Sequence, residues 1–139
     1  MNNSYLKEKS NFNLDAADYL HTKNLYAPSV HCSYYSCLQI LKVTINEFLE
    51  ISYKDLELEI KEAKKQHLNT HAFIIKKIGD EIRNYSSEEH TLFNRNIKDL
   101  KKFREKSDYE DVQITTDESI KAFNLAKDLK QQIKNIFNI

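Results

Sequence analysis

Between Val30 and Phe48, large apolar side chains return every three or four residues: Val30, Tyr34, Leu38, Leu41, Ile45 and Phe48. That period lays them along one stripe of an α-helix of about twenty residues. Pro28 stands at its head, where a missing N–H costs nothing. Upstream, Leu14, Ala17 and Leu20 repeat the spacing in "NLDAADYLHTKNLY". They predict a first helix with Asn13 available as its cap and a break near Asn24.

Residues 52–67, "SYKDLELEIKEAKKQH", carry alternating charge and few large apolar groups. They suit a solvated helix held by pairs such as Glu57–Lys61, or a mobile connection, and are expected to be the least ordered part of the chain. Beyond them Phe73, Ile74, Ile78 and Ile82 form another stripe, with Asn69 or Thr70 as its cap. Ser86 or Ser87, followed by glutamates, reads as the start of a further helix. Its stripe runs Phe93, Ile97, Leu100 and then Arg104. A last helix begins near "TTDES", with Thr116 and Ser119 available as caps, and repeats apolar positions from Ile120 to Phe137. Amphipathic segments with short connections predict an all-α, up-and-down bundle of four main helices plus a short additional helix or ordered connection.

Composition points the same way. The 139 residues include one glycine (Gly79) and one proline (Pro28), too few for the tight turns of a hairpin-rich fold. The length suits one domain, 1–139, with its core over about residues 13–137. Lysine plus arginine (21) equals aspartate plus glutamate (21), so no global field draws the chain to nucleic acid or to a membrane. The N-terminal stretch has no apolar run long enough for a signal peptide or a spanning helix. Cys32 and Cys37 are five apart, which on a helix turns their side chains well away from each other and disfavours a disulfide. A reduced, cytoplasmic protein is the simplest expectation.

Two arginines are candidates for chemistry. Arg83 and His90, in "RNYSSEEH", are the residue types of a ribonuclease: the cation steadies a phosphate and the imidazole moves protons. A helix boundary at Ser86 or Ser87 separates them, and an exposed histidine near a helix start is the plainer reading. Arg104 and Asp108, in "FREKSDYED", are four apart and share one helix face. Arg104 continues an apolar stripe, so its guanidinium belongs at the edge of the core, with Asp108 as the nearest carboxylate and Tyr109 over the helix end. Tyr34 is expected in the core, and Tyr35 is placed to reach a neighbouring helix or a partner. His31, Cys32 and Cys37 have no zinc-site spacing, so neither a metal nor a cofactor is expected.

The chain resembles the HEPN (higher eukaryotes and prokaryotes nucleotide-binding) family. Tyr26, Ala27, Ser29 and Val30, followed by Tyr34, Tyr35 and Ser36, are similar to the entry and body of that family's second helix. Thr70 and His71 resemble the serine–histidine start of its third, and "REKSDY" resembles an R-x-x-A-D-Y signature with Ser107 in place of alanine. The resemblance covers about residues 13–137 and implies a four- or five-helix bundle, often dimeric. Such proteins commonly work beside a small nucleotidyltransferase as a toxin–antitoxin pair, and the catalytic branch cuts RNA with an R-x4-6-H motif at a dimer cleft. Here Arg104 fills the arginine position and Tyr109 the histidine position. A phenol with a pKa near 10 is a poor proton shuttle at neutral pH.

The expectation is therefore a HEPN-like protein that binds a partner, and a nucleotide or RNA, without strong catalysis of its own. Arg104, Asp108, Tyr109, Tyr35 and His71 are the candidate binding residues. The alternatives are a metal-independent endoribonuclease using Arg104 with Tyr109 or Arg83 with His90, and a purely structural assembly module. A homodimer and a small nucleotidyltransferase are the expected protein partners.

Overall fold

The computed structural model describes residues 5–139. Among the described residues there are six helices: α1 (Tyr5–Thr22), α2 (Tyr26–Phe48), α3 (Tyr53–Lys65), α4 (Thr70–Tyr85), α5 (Ser87–Tyr109) and α6 (Thr116–Phe137). Among the described residues there is no strand, and no helix is long and apolar enough to cross a membrane.

Helix α2 is the hub, packed against α1, α4, α5 and α6. Val30, Tyr34, Leu41 and Ile45 from its stripe are fully enclosed, as are Ile74, Ile78 and Ile82 of α4 and Phe93, Ile97 and Leu100 of α5. Burying each of these side chains contributes about 1.5–3 kcal/mol, so the stripes read from the sequence are the cohesion of the bundle.

Helices α1 and α2 meet through small polar residues. Ser10 Oγ donates to the Ser36 carbonyl at 2.6 Å, Ser36 Oγ donates to the Ser10 carbonyl at 2.8 Å, and Ser29 Oγ donates to the Ala17 carbonyl at 2.6 Å. These side chains are short enough to let two backbones approach, and each hydroxyl is satisfied by a helix carbonyl. The pairs 10–36 and 17–29 run in opposite directions, so α1 and α2 are antiparallel.

Two local expectations need correction and a third is resolved. Helix α1 is already formed at Tyr5, well before Asn13, because its inward face continues upstream through the enclosed Ser10, which an apolar pattern does not register. Asn13 lies inside the helix and its Nδ2 donates to Gln39 Oε1 at 2.9 Å. Of the two forms expected for residues 52–67 the helix is the one found, docked on α4 rather than left loose. Ser52 caps α3 by accepting from the Asp55 N–H at 3.1 Å, Leu56 and Ile60 are buried, and Lys77 of α4 reaches Glu59 at 2.8 Å. Two buried side chains and one cap suffice to dock a short helix, and its intrahelical ion pair is Lys65–Glu62. Finally, α6 is capped by Thr115 in a reciprocal capping box with Glu118, not by Thr116 or Ser119. Ser119 is fully buried instead, with its hydroxyl 2.8 Å from His21 Nδ1.

The remaining boundaries follow the sequence. Asn69 caps α4 and Ser86 caps α5 through side-chain oxygens. With its one glycine placed inside α4, the chain turns at non-glycine residues in the left-handed region: Asn24 (φ 62), Glu50 (φ 57) and His67 (φ 66). Each sits just beyond a helix end, where that conformation closes the last turn.

Candidate functional site

Arg104 sits where α5 passes α2 and the start of α4. It continues the stripe of Phe93, Ile97 and Leu100 and is only 9% exposed. An arginine so placed needs partners, and it has three. Nε donates to Asp108 Oδ2 at 3.0 Å, while Nη2 donates to the phenol oxygens of Tyr35 at 2.9 Å and Tyr109 at 2.8 Å. The guanidinium carbon also lies 5.3, 5.5 and 5.0 Å from the ring centres of Tyr34, Tyr35 and Tyr109. Three electron-rich faces and one carboxylate thus surround a single cation. Burial opposes the charged guanidinium, but Tyr35, Tyr109 and Asp108 together outweigh it, and the Arg104 pKa is raised above its ordinary value.

Asp108 is held from a second side. His31 of α2 donates from Nδ1 to both carboxylate oxygens, at 2.9 and 3.1 Å, and its ring stacks 4.6 Å from that of Tyr35. Ser107 Oγ approaches Asp108 Oδ1 at 3.3 Å. Asp108 therefore bridges α5 to α2 and fixes the plane of the guanidinium.

His71, at the start of α4, completes the cluster. Its Nδ1 lies 3.0 Å from the Tyr34 hydroxyl. Tyr34 is fully buried, and burial raises its phenol pKa well above the ordinary value, so the hydroxyl keeps its proton. Among the described residues that hydroxyl has no other partner, so it donates to Nδ1 and assigns the ring proton to Nε2. Burial first, and then the charges of Arg104, Lys101 and Lys42, lower the His71 pKa below 6.5. His71 is thus a neutral ring at neutral pH whose free edge is an N–H donor.

Arg104, His71 and Tyr109 line an open cleft of about 630 Å³ together with Lys64, Lys101, Glu105 and Glu110. Among the described residues Arg104 Nη1 has no protein acceptor. The cleft therefore carries a guanidinium, an imidazole N–H and two ammonium groups beside the two carboxylates of Glu105 and Glu110. The guanidinium and imidazole donors suit an anionic oxygen such as a phosphate or carboxylate.

The sequence candidates divide cleanly. Arg104, Asp108, Tyr109, Tyr35 and His71 converge on one point. Arg83 and His90 do not join them: they line a separate groove of about 270 Å³ between α4 and α5. Fourteen residues of α5 separate His90 from Arg104, roughly 21 Å along the helix axis. Within that groove Arg83 is exposed and pairs with Asp80 at 3.7 Å, while His90 lies over Gly79; no hydrogen bond joins the two. His31 and the Tyr34 hydroxyl are cluster members that motif reading missed. The available signal was spacing, since His31, Tyr34 and Tyr35 are i, i+3 and i+4 on one face of α2. Cys32 and Cys37 are free thiols, and burial pushes the Cys37 pKa up to about 12. Among the described residues no three His, Cys, Asp or Glu side chains are grouped to hold a metal ion.

Comparison with family models, curated proteins and solved structures finds no match for the chain. The HEPN resemblance rests on the motifs themselves and their order along the sequence.

Proposed function

We propose that this is a HEPN-like protein whose Arg104 cleft binds an anionic group, the phosphate of a nucleotide or RNA, as part of a partner-binding role. In that role it acts beside a nucleotidyltransferase-type protein and without strong catalysis of its own. The observation that supports the reading most is the state of Arg104: held by Asp108, Tyr35 and Tyr109, yet lining an open cleft with Nη1 unclaimed by any described residue. Preorganised donors of this kind bind an anion without the cost of ordering a long side chain.

Binding is favoured over cleavage because of the proton inventory. Ribonuclease chemistry without a metal needs a group that takes a proton from the attacking hydroxyl. Tyr109 is a phenol, and the basic nitrogen of His71 is occupied by Tyr34. The remaining bases of the cleft are the carboxylates of Glu105 and Glu110, and among the described residues neither is hydrogen-bonded to Arg104, His71 or Tyr109.

Calorimetric titration with ATP and with a short single-stranded RNA tests the reading. Wild-type protein is expected to bind at least one of them and to return the RNA uncut, and Arg104→Gln to bind neither. RNA cleavage that disappears in Arg104→Ala would establish the ribonuclease alternative. Binding unchanged in a destabilised Arg104→Ala variant would leave Arg104 a purely structural residue.

A further inference from the structure

At the far end of α5 from the Arg104 cleft, a groove of about 320 Å³ opens between the α4–α5 junction and α6. Tyr85, Leu92 and Ile136 give it apolar walls, and the Tyr85 ring is 66% exposed. Two carboxylates, Glu89 and Asp128, line the groove, and no lysine or arginine does. In a chain with as many cations as anions, such a site is locally uncompensated. A second groove without basic lining, beside α3, is not comparable, because its Glu59 and Glu62 are already paired with Lys77 and Lys65.

The floor of the groove is built from side chains that hold one another. Gln132 reaches across it from α6 to α5 and is only 9% exposed. Its Nε2 donates to the Glu89 carbonyl at 2.9 Å and to Glu89 Oε2 at 2.7 Å, which fixes the amide and the carboxylate together. With Nε2 committed to two acceptors, the orientation of the amide is set. Its Oε1 is then left enclosed, with no donor among the described residues. Buried acceptors are normally paired, so this side chain is short of one N–H. Asp128, one turn before Gln132 on α6, has no hydrogen-bond or ion-pair partner among the described residues. Glu89 sits in the first turn of α5, where the helix start already favours a carboxylate. Asp128 has no such support.

We infer that this groove binds a linear aliphatic diammonium ion, the chemistry of a short diamine or of one segment of a polyamine. Asp128 and the Glu89–Gln132 pair are one helical turn apart along α6, roughly 6 Å. A four-carbon chain holds two ammonium groups at about that separation. One ammonium pairs with Asp128, and the other meets Glu89 and Gln132, where an N–H donor is wanting. The methylenes between them lie against Leu92 and Ile136, and the Tyr85 ring offers a face to the cation. Apolar walls and only two carboxylates suit such an ion better than a hydrated metal. The inference stands apart from the anion-binding reading. Glu89 and Arg104 are fifteen residues apart on α5, roughly 22 Å, and neither site lends the other a residue.

Calorimetric titration of the full chain with 1,4-diaminobutane at low ionic strength tests the site, with n-butylamine as the single-charge control. The wild type is expected to bind the diamine saturably at one site per chain, and the monoamine about tenfold more weakly. Asp128→Asn and Glu89→Gln should each weaken the diamine by about tenfold with little change in melting temperature. Asp128 is exposed, so its variant stays informative even if Glu89→Gln disturbs the start of α5. Glu105→Gln, in the Arg104 cleft, should bind the diamine as the wild type does. Four results would each overturn the inference: no saturable binding by the wild type, equal affinity for the monoamine, undiminished affinity in Asp128→Asn, or a loss confined to Glu105→Gln.

Discussion

Two grooves between α4 and α5 each contain an arginine and a histidine, and they are built in opposite ways. At Arg104 the guanidinium is nearly enclosed, three side chains hold it, and the histidine is tied to a buried phenol. At Arg83 the guanidinium stands in solvent with one long ion pair, and the histidine rests over a glycine. The pair closer to a catalytic spacing in sequence is the one without geometry. A functional arginine is recognised by what fixes it, because an unrestrained side chain must lose its rotamer freedom when a ligand binds.

The largest expected difference between the two grooves is in stability. Arg104→Ala leaves Tyr35 and Tyr109 without their donor and removes one partner of Asp108, and should cost about 2–3 kcal/mol in urea denaturation. Arg83→Ala removes an exposed pair and should change stability by less than about 0.5 kcal/mol. Equal losses at the two sites would erase the contrast.

A smaller effect concerns pH. The folded-state pKa of His71 lies below 6.5, so the unfolded chain binds the extra proton first as the solution is acidified. The stability contributed by the neutral ring is complete above 6.5 and falls as pH drops below that value toward the folded-state pKa. Melting temperatures followed from neutral pH down to pH 5 should decline less steeply in His71→Gln than in the wild type. Matching slopes would show that His71 is not held neutral by its surroundings.

A modest gain is expected at the floor of the other groove. A Cβ added to Gly79 would lie 3.7 Å from Phe93 Cε2 and 3.8 Å from His90 Nε2, which is ordinary contact. Gly79→Ala should therefore raise stability by about 0.5–1 kcal/mol through helix propensity, without affecting anion binding. Loss of binding in that variant would move the site to the Arg83 groove.

The sequence made the all-α bundle legible because every long helix writes its core face as an apolar stripe. It concealed what that code does not spell. The inward serines of α1 and α2 read as polar, so the start of α1 was placed too late. In α3 only Leu56 and Ile60 are buried, too few to stand out from the charge around them. At the site, the Arg104–Asp108 pair was visible because it is local, four residues apart on one helix. The reach of His31 across 77 residues and of His71 to Tyr34 across 37 depends on how helices dock, which no spacing rule records.

In the proposed reading Arg104, not Arg83, marks the binding site. Titration of isotopically labelled protein with ATP, followed residue by residue by NMR, tests it most directly. The expected result is saturable shifts at His71, Arg104 and Tyr109, with Arg83 and His90 unmoved. Shifts centred on Arg83 and His90, or none anywhere for either ATP or a short RNA, would contradict it.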